Sequence, residues 1–173
     1  MKSSPTAKEI KTLAKQNKRS KHGVNLPEAD LSNLDLQKVH LSKANLKKTD
    51  LSGADLYKAK LRKAQLRKAN LSGANLAGAK LTKANLSWAN LSEADLTNCK
   101  LKDADLRWAN LSNAILVGAN LKRADLGDAN LDGADLSRAD LSGASLRRAD
   151  LKNADLTKIN YDRYTEWPDD FEP

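Results

Sequence analysis

The stretch Ala69–Ala79, ANLSGANLAGA, contains two copies of the five-residue unit that decides the fold of this chain. The unit is A-(N/D)-L-x-x, and leucine occupies every fifth position from Leu26 to Leu156 without interruption. Residues five apart lie about 140° apart around an α-helix and alternate faces along a β-strand, so neither element places all the leucines on one side. A chain that turns a corner in every unit places all the leucines on one side. The repeat therefore predicts a coil with leucine and alanine inside.

One unit is too short to bury its own leucine, so successive coils must stack and share a single interior. The motif resembles the pentapeptide-repeat family, whose consensus is A-(D/N)-L-x-x, and the resemblance covers residues 24–158. It implies an all-β solenoid, a right-handed quadrilateral β-helix with four repeats per coil and about seven coils. Leucine and the small residue two positions before it are then expected inside the coil, with the other three residues outside.

The small inward position predicts where the rod ends. From Ala54 to Ala154 it holds alanine in every repeat except at Cys99. Larger residues overpack a space sized for a methyl group, so we expect them only near the ends, where Val24, Leu34, Val39, Thr49 and Ile159 occupy this position. We expect Cys99 to be a buried, inert substitute for alanine, and a lone cysteine cannot form an internal disulfide.

We divide the chain into a basic N-terminal cap or tail (1–23), the β-helix (24–158) and a C-terminal cap (159–173). Thr6 and Glu9 have the spacing of a capping box, and apolar residues follow at helical intervals, which predicts a short helix over residues 5–18. A disordered basic tail is the alternative for this segment. A covered end is expected because the last coil of a solenoid exposes unpaired edges and apolar interior.

The C-terminal segment holds four of the seven aromatic residues of the chain. These are Tyr161, Tyr164, Trp167 and Phe171. They predict a tail that folds over the last coil, and residues 161–168 resemble the tails that close cyanobacterial members of the family.

Composition excludes several classes of protein. Only 4% of the residues are aromatic, which is too few for an ordinary globular core and suits a narrow, repetitive interior. No apolar run approaches the roughly 20 residues of a membrane span, and the basic N-terminus has no apolar segment after it. We expect a soluble cytoplasmic protein without membrane association.

The polar residues do not form a recognisable catalytic or metal site. Asn and Asp recur before leucine too regularly to be catalytic pairs, and their side chains are expected to bond the nearby backbone at the corners. His22 and His40 have no Cys, Asp or Glu partners at the spacing of metal ligands. We therefore expect no enzyme activity, no metal and no cofactor.

A coil of twenty residues assigns every outward residue to one of four faces. Face A contains Leu41, Leu61, Leu81, Leu101, Leu121 and Leu141; faces B, C and D follow it along each coil and contain Leu46, Leu51 and Leu56, respectively. Ten basic and two acidic residues lie on face A, and seven and four on face B. Acidic residues outnumber basic ones on face C, by five to one, and on face D, by five to four, so the rod has a basic and an acidic side. The basic residues of face A are Lys43, Lys60, Arg62, Lys63, Lys80, Lys83, Lys100, Lys102, Lys122 and Arg123.

Lysines on face A are expected to stack directly on one another. Lys60, Lys80 and Lys100 share one column at strand spacing, where like charges repel. Two interpretations fit this arrangement: solvated side chains that are screened by salt and discourage aggregation, or a surface that binds an anionic partner.

Two further outward groups are candidates for contacts. Trp88 and Trp108 lie one coil apart beside Arg107, and they are expected either to stiffen the wall by stacking or to form an aromatic platform for a protein or for bases. On the other side of the rod Ile115 and Val117 replace polar residues near Tyr57. This apolar patch is compatible with a homodimer and equally with a harmless surface cluster.

These observations favour a rigid, non-catalytic module that binds a protein partner through its flat faces. Binding of nucleic acid or another polyanion through the basic faces is the alternative. The resemblance adds a third hypothesis, because quinolone-resistance members of the family are thought to mimic duplex DNA and engage a topoisomerase. The net charge of +8 has the wrong sign for such mimicry.

Overall fold

The chain forms a solenoid whose coils are joined by parallel β-bridges. The computed structural model describes residues 5–16, 23–169 and 171–173. Each bridge from Asn25 to Asn160 joins residues twenty positions apart, so four pentapeptides complete one coil. The predicted β-helix is therefore confirmed. His22 and the predicted end of the helix at residues 17 and 18 lie outside the described residues.

In repeats such as Asn70–Ala74, which have Asn or Asp before the leucine, each of the five backbone amides has its own acceptor. The Leu71 and Gly73 amides donate to carbonyls of the following coil at 2.7 and 2.9 Å, and the Asn70 amide donates to the preceding coil at 3.0 Å. The Ala74 amide closes the corner by donating to the Leu71 carbonyl at 3.1 Å. The Ser72 amide donates to the Asn70 side chain at 3.3 Å. The corner role expected for Asn and Asp is thus confirmed, and it leaves no amide of this unit unpaired.

Every corner uses a left-handed residue. From Glu28 to Lys158, the second residue after each leucine has a φ between 53 and 68°, which is the geometry of a type II turn. Only six of these positions hold glycine, although the left-handed conformation costs other residues roughly 1–2 kcal/mol each. The hydrogen bonds on both sides of each corner hold it in this conformation.

The interior is a column of leucine and alanine with two polar exceptions. Every repeat leucine from Leu31 to Leu146 has no exposed surface. Thr49 and Cys99 replace alanine in this column and are also fully buried. Each donates a hydrogen bond to a leucine carbonyl of the preceding coil, at 2.8 Å from Thr49 Oγ1 and 3.0 Å from Cys99 Sγ. Both polar side chains are thereby satisfied inside an apolar core.

The N-terminal end is covered by helix α1, Ala7–Gln16. Its capping box is present, because the Thr6 amide donates to Glu9 Oε2 at 2.7 Å and the Glu9 amide donates to Thr6 Oγ1 at 3.3 Å. Ile10 and Ala14 are buried and belong to the core of the solenoid. The predicted helix is therefore confirmed, and its buried residues pack with the core at the first coil.

The C-terminal segment first continues the coil and then packs against the core. Glu166 bridges a residue twenty-one positions earlier, so the chain has one extra residue in this last turn. Trp167 then takes the place of a leucine and packs against the core. Its ring meets Tyr161 edge-on at 5.5 Å and stacks on Phe171 at 5.3 Å. Tyr164 is 64% exposed and lies outside this aromatic cluster.

The inward alanine position predicts the effect of overpacking. Ala104 is 2% exposed, so Ala104→Leu should lower the free energy of unfolding in urea by roughly 1–3 kcal/mol. Ala154→Leu is the matched control, because Ala154 lies in the last coil and is only partly buried. Equal stability of the Ala104→Leu variant and the wild type would contradict the inward assignment.

The buried thiol predicts a pH dependence of stability. Burial raises the pKa of Cys99 to about 12, whereas the thiol of the unfolded chain ionises near its ordinary pKa of about 8.5. The stabilisation from a neutral, buried thiol is therefore complete below about pH 8.5 and is lost as the pH rises towards 12. The unfolding midpoint of the wild type should fall more steeply between about pH 8 and about pH 11 than that of Cys99→Ala. Parallel curves would contradict the burial of the thiol.

Candidate interaction surface

The outward residues occupy two kinds of position. The residue before each leucine lies on the flat part of a face, where the coils bridge, and the two residues after leucine form the corner to the next face. Flat positions therefore build straight columns along the rod, and corner positions build ridges between the faces. Both sets of side chains are held at the spacing of the backbone ladder, about 4.8 Å from coil to coil.

Lysines form an uninterrupted column on the flat part of face A. Lys60 bridges Lys80, and Lys80 bridges Lys100, so their backbones are direct neighbours. All three side chains are exposed. His40 precedes them in the column, and its Nε2 lies 2.8 Å from Lys60 Nζ. The stacking predicted from the twenty-residue coil is present.

This column departs from the hydrogen-bonding rule of the repeat. Elsewhere an Asn or Asp at the flat position accepts the amide two residues later, as Asp50 does from Ser52 at 2.9 Å. A lysine ammonium cannot accept a hydrogen bond. The corners that follow Lys60, Lys80 and Lys100, in three consecutive coils, therefore lack that bond. Each of these corners is stabilised less than a corner with an Asn or Asp acceptor, and the three ammonium groups also repel one another.

Ion pairs compensate the basic residues at the Lys122 end of face A. Lys122 Nζ lies 3.0 Å from Asp140, and Arg123 donates to Asp103 at 2.8 Å. Within residues 23–169 no carboxylate lies within ion-pair distance of the basic residues in the middle of the face. We call this group the lysine patch; it comprises Lys60, Arg62, Lys63, Lys80, Lys83, Lys100 and Lys102.

The two tryptophans form a stacked pair on the corner between faces B and C. The ring centroids of Trp88 and Trp108 are 5.1 Å apart and their planes differ by 14°. They are 50% and 41% exposed, and both adopt the left-handed conformation, with φ of 61 and 57°. Stacking contributes about 0.5–1.5 kcal/mol beyond area burial, which is comparable to the strain that a bulky residue meets there.

An arginine next to the pair is fixed by carboxylates. The Arg107 guanidinium lies 5.4 Å from the Trp108 ring centroid. It donates to Asp105 at 2.8 Å and lies 3.5 Å from Asp125. This guanidinium holds the pKa of Asp105 below its usual range, mainly through the hydrogen bond. The two carboxylates therefore hold Arg107 beside the ring of Trp108.

An open cleft of about 420 Å³ borders Trp108. Gly127 forms its floor between the side chains of Arg107 and Arg147, because glycine interrupts that column. Glu166 from the C-terminal segment lines the opposite side and accepts from Arg147 at 2.8 Å. Sequence reasoning missed this cleft, although a lone glycine between two arginines in one column is a signal for it.

The structure separates the predicted surface residues into two groups. The lysine patch occupies face A and its corner to face B, whereas the tryptophan pair and Arg107 occupy the far edge of face B. The paired tryptophans thus border the flat asparagine column of face C, where Asn90 and Asn110 join their side chains at 3.2 Å. A small partner contacts one group or the other, and only a partner that spans face B contacts both.

The predicted apolar patch is discontinuous. Ile115 is 42% exposed and Val117 is partly exposed beside it. Tyr57 stands in the same column as Val117 but three coils away, with Ala77 and Thr97 between them. The structure therefore does not bring Tyr57 to the other two residues, and self-association through this patch stays a prediction.

Metal-binding clusters and membrane-spanning helices are absent from the described residues. No group of three or more His, Cys, Asp and Glu side chains in residues 5–16, 23–169 and 171–173 is placed to hold a metal ion. In the same part of the chain no helix is long and apolar enough to cross a bilayer.

Comparison with known proteins identifies the repeat and the fold. The family described as Pentapeptide repeats matches eight copies in this chain, over residues 25–62, 49–87, 59–98, 89–128 and 124–160. QnrB1, a plasmid-mediated fluoroquinolone resistance protein, has a similar structure in a trypsin-treated form. The two are 20% identical over 81% of this chain and 82% of that one, with a TM-score of 0.62.

A second solved structure is closer in sequence. The pentapeptide repeat protein alr5209 from Nostoc PCC 7120 is 43% identical over 54% of this chain and 77% of that one, with a TM-score of 0.53. No curated protein matches the chain. The right-handed quadrilateral β-helix is confirmed.

The missing corner bonds predict that a consensus residue stabilises the lysine column. Lys80→Asn should provide an acceptor for the Thr82 amide and remove one repelling charge. A net gain of about 0.5–1.5 kcal/mol per hydrogen bond corresponds to an increase in Tm of roughly 1–6 °C. Asn90→Lys is the reverse control on face C, where the Asn90 side chain accepts the Ser92 amide, and it should lower Tm. A lower Tm for Lys80→Asn would contradict this account of the corners.

Proposed function

The chain belongs to the pentapeptide-repeat family, and we propose that it is a rigid, non-catalytic module that binds a protein partner through its flat faces. The observation that carries this proposal is the exposed tryptophan pair. Trp88 and Trp108 occupy corner positions where glycine or asparagine fits without strain. Their stacking offsets that strain but still leaves about half of each side chain in water.

Such a pair has the properties of a binding hot spot. Tryptophan and arginine are enriched among the residues that contribute most to protein interfaces. Here Arg107 is already held against Trp108 by Asp105 and Asp125, so little side-chain freedom remains to be lost on binding. A partner that covers the pair gains the burial of two large apolar surfaces.

The rigidity of the rod supports the same function. Each outward residue is attached to a backbone that hydrogen-bonds to the coils on both sides. A surface fixed in advance loses little entropy when it binds, and this improves affinity without further contacts. The Asn and Asp side chains that face outward are engaged in holding the corners, which supports a role in structure and not in catalysis.

Nucleic acid or another polyanion is the second candidate partner, and the lysine patch favours it. Seven basic residues without an ion-pair partner in residues 23–169 are clustered on one face and its corner. The same charge argues against the DNA mimicry considered from the sequence, because a mimic must present acidic groups. The similarity to QnrB1 is at 20% identity and concerns the fold alone. The cytoplasmic location stays a prediction.

Capture of proteins from a lysate tests the proposed function. A double variant, Trp88→Asn with Trp108→Asn, should fold normally because asparagine tolerates the left-handed conformation. We expect it to lose a protein that the wild type retains, by about tenfold or more for a hot-spot pair.

The control for this experiment is Lys48→Asn with Lys68→Asn, which alters the same corner column and leaves the indoles intact. It should retain the captured protein. Equal capture by the tryptophan variant, or no specific capture by the wild type, would contradict the proposal.

A further inference from the structure

We infer that the lysine patch is the docking site for an extended acidic segment of a partner protein. This inference rests on the proposed function, since it names the chemistry of the partner that a protein-binding rod would take on face A. The residues of the lysine patch lie outside the tryptophan pair, so the inference gives them a role of their own.

The lysine patch has a local excess of positive charge. Several basic residues outside the patch have carboxylate partners one coil away: Arg123 pairs with Asp103, Arg148 with Asp128 and Lys48 with Glu28. The lysine patch has none among residues 23–169. No carboxylate of residues 23–169 compensates its charges, so a carboxylate partner would supply ion pairs of the kind that Arg123, Arg148 and Lys48 make within the rod.

The lysine patch also lacks stabilising bonds that the repeat makes elsewhere. Lys60, Lys80 and Lys100 forgo the corner bond at three consecutive coils and stack like charges at strand spacing. A single asparagine at each position would restore the rule of the repeat. Positions at which a regular fold breaks its own local rule without a gain in packing are typical of functional sites.

The geometry of the patch indicates a linear partner. Its central column runs along the rod axis and spans two coil steps, or roughly 10 Å from Lys60 to Lys100. An extended peptide advances about 3.3 Å per residue, so about four residues cover the column. The corner residues Lys63 and Lys83 form a second basic row beside it. On the other side, Gly78 and Asn98 have short side chains, which leaves the column accessible.

The composition of the patch favours a protein over a nucleic acid. Single-stranded nucleic acid is bound by basic grooves that also carry aromatic side chains for base stacking. The lysine patch contains no aromatic residue, and Trp88 and Trp108 lie across the full width of face B. A run of carboxylates needs no stacking platform, and lysine ammonium groups are sufficient to bind it.

A triple asparagine variant separates binding from folding. Lys60→Asn, Lys80→Asn and Lys100→Asn together restore the corner acceptors, so the protein should melt at a higher temperature than the wild type. The probe is a fluorescent octaglutamate peptide, followed by anisotropy at near-physiological salt. We expect the triple variant to bind it about tenfold more weakly, the summed effect of three surface ion pairs.

The matched control removes the same charge elsewhere. Arg138, Lys152 and Lys158 are exposed residues on faces C and D, and their replacement by asparagine should change octaglutamate affinity by less than about twofold through long-range charge alone. A single-stranded oligothymidylate of the same formal charge is measured in parallel, and we expect it to bind the wild type more weakly than the peptide.

Four results would overturn the inference. Octaglutamate could bind the triple variant and the wild type equally, or the control variant could lose as much affinity as the triple variant. Alternatively, oligothymidylate could bind more tightly than the peptide and depend on the same lysines, which would assign the patch to nucleic acid. If the wild type captures a protein through its tryptophans but ignores octaglutamate, this inference fails and the proposed function stands. If octaglutamate binds through the three lysines but no protein is captured through the tryptophans, the lysine patch is still a site for acidic segments and the proposed tryptophan-dependent function fails.

Discussion

Hydrogen bonds between residues twenty positions apart hold every other feature of this molecule in place. Each repeat sends two amides to the following coil and one to the preceding coil, so the position of any residue is fixed by its neighbours above and below. The buried leucine column depends on this ladder, because a single pentapeptide has no interior of its own. The left-handed corners depend on it too, since most of them hold residues that would avoid that conformation in isolation.

The same ladder converts the free positions of the repeat into surfaces. A side chain on the flat position has a neighbour of the same kind about 4.8 Å above and below it, so one substitution alters a column and not an isolated point. Asn and Asp columns stabilise themselves, because their side chains bond corner amides and in places each other. The lysine column and the tryptophan ridge depart from this arrangement on different edges of the basic side. Both groups contribute little to the stability of the rod. We therefore assign them to contacts with partners.

Much of this structure could be predicted from the leucine register. Once the resemblance to the pentapeptide-repeat family implied a coil of four repeats, the burial of Cys99, the stacking of Trp88 on Trp108 and the lysine column followed by counting. The left-handed corners were not predicted, because lysine and glutamate give no signal for positive φ. The extra residue in the last turn was also missed, since it disturbs the register where leucine has already ended. Ion pairs such as Arg123 with Asp103 depend on the conformations of long side chains, and these cannot be read from spacing.

The most direct test is amide hydrogen exchange measured residue by residue by NMR. It shows whether hydrogen bonds protect the corner amides and whether those bonds are missing at the lysine column. Repeat leucine amides should exchange slowly throughout the interior coils, because each donates to the next coil. Ser52, Ser72 and Ser92 amides, which donate to Asn or Asp side chains, should be clearly more protected than the amides of Arg62, Thr82 and Lys102. Equal protection of these two sets of corner amides would contradict the account, as would fast exchange of the leucine amides in the central coils.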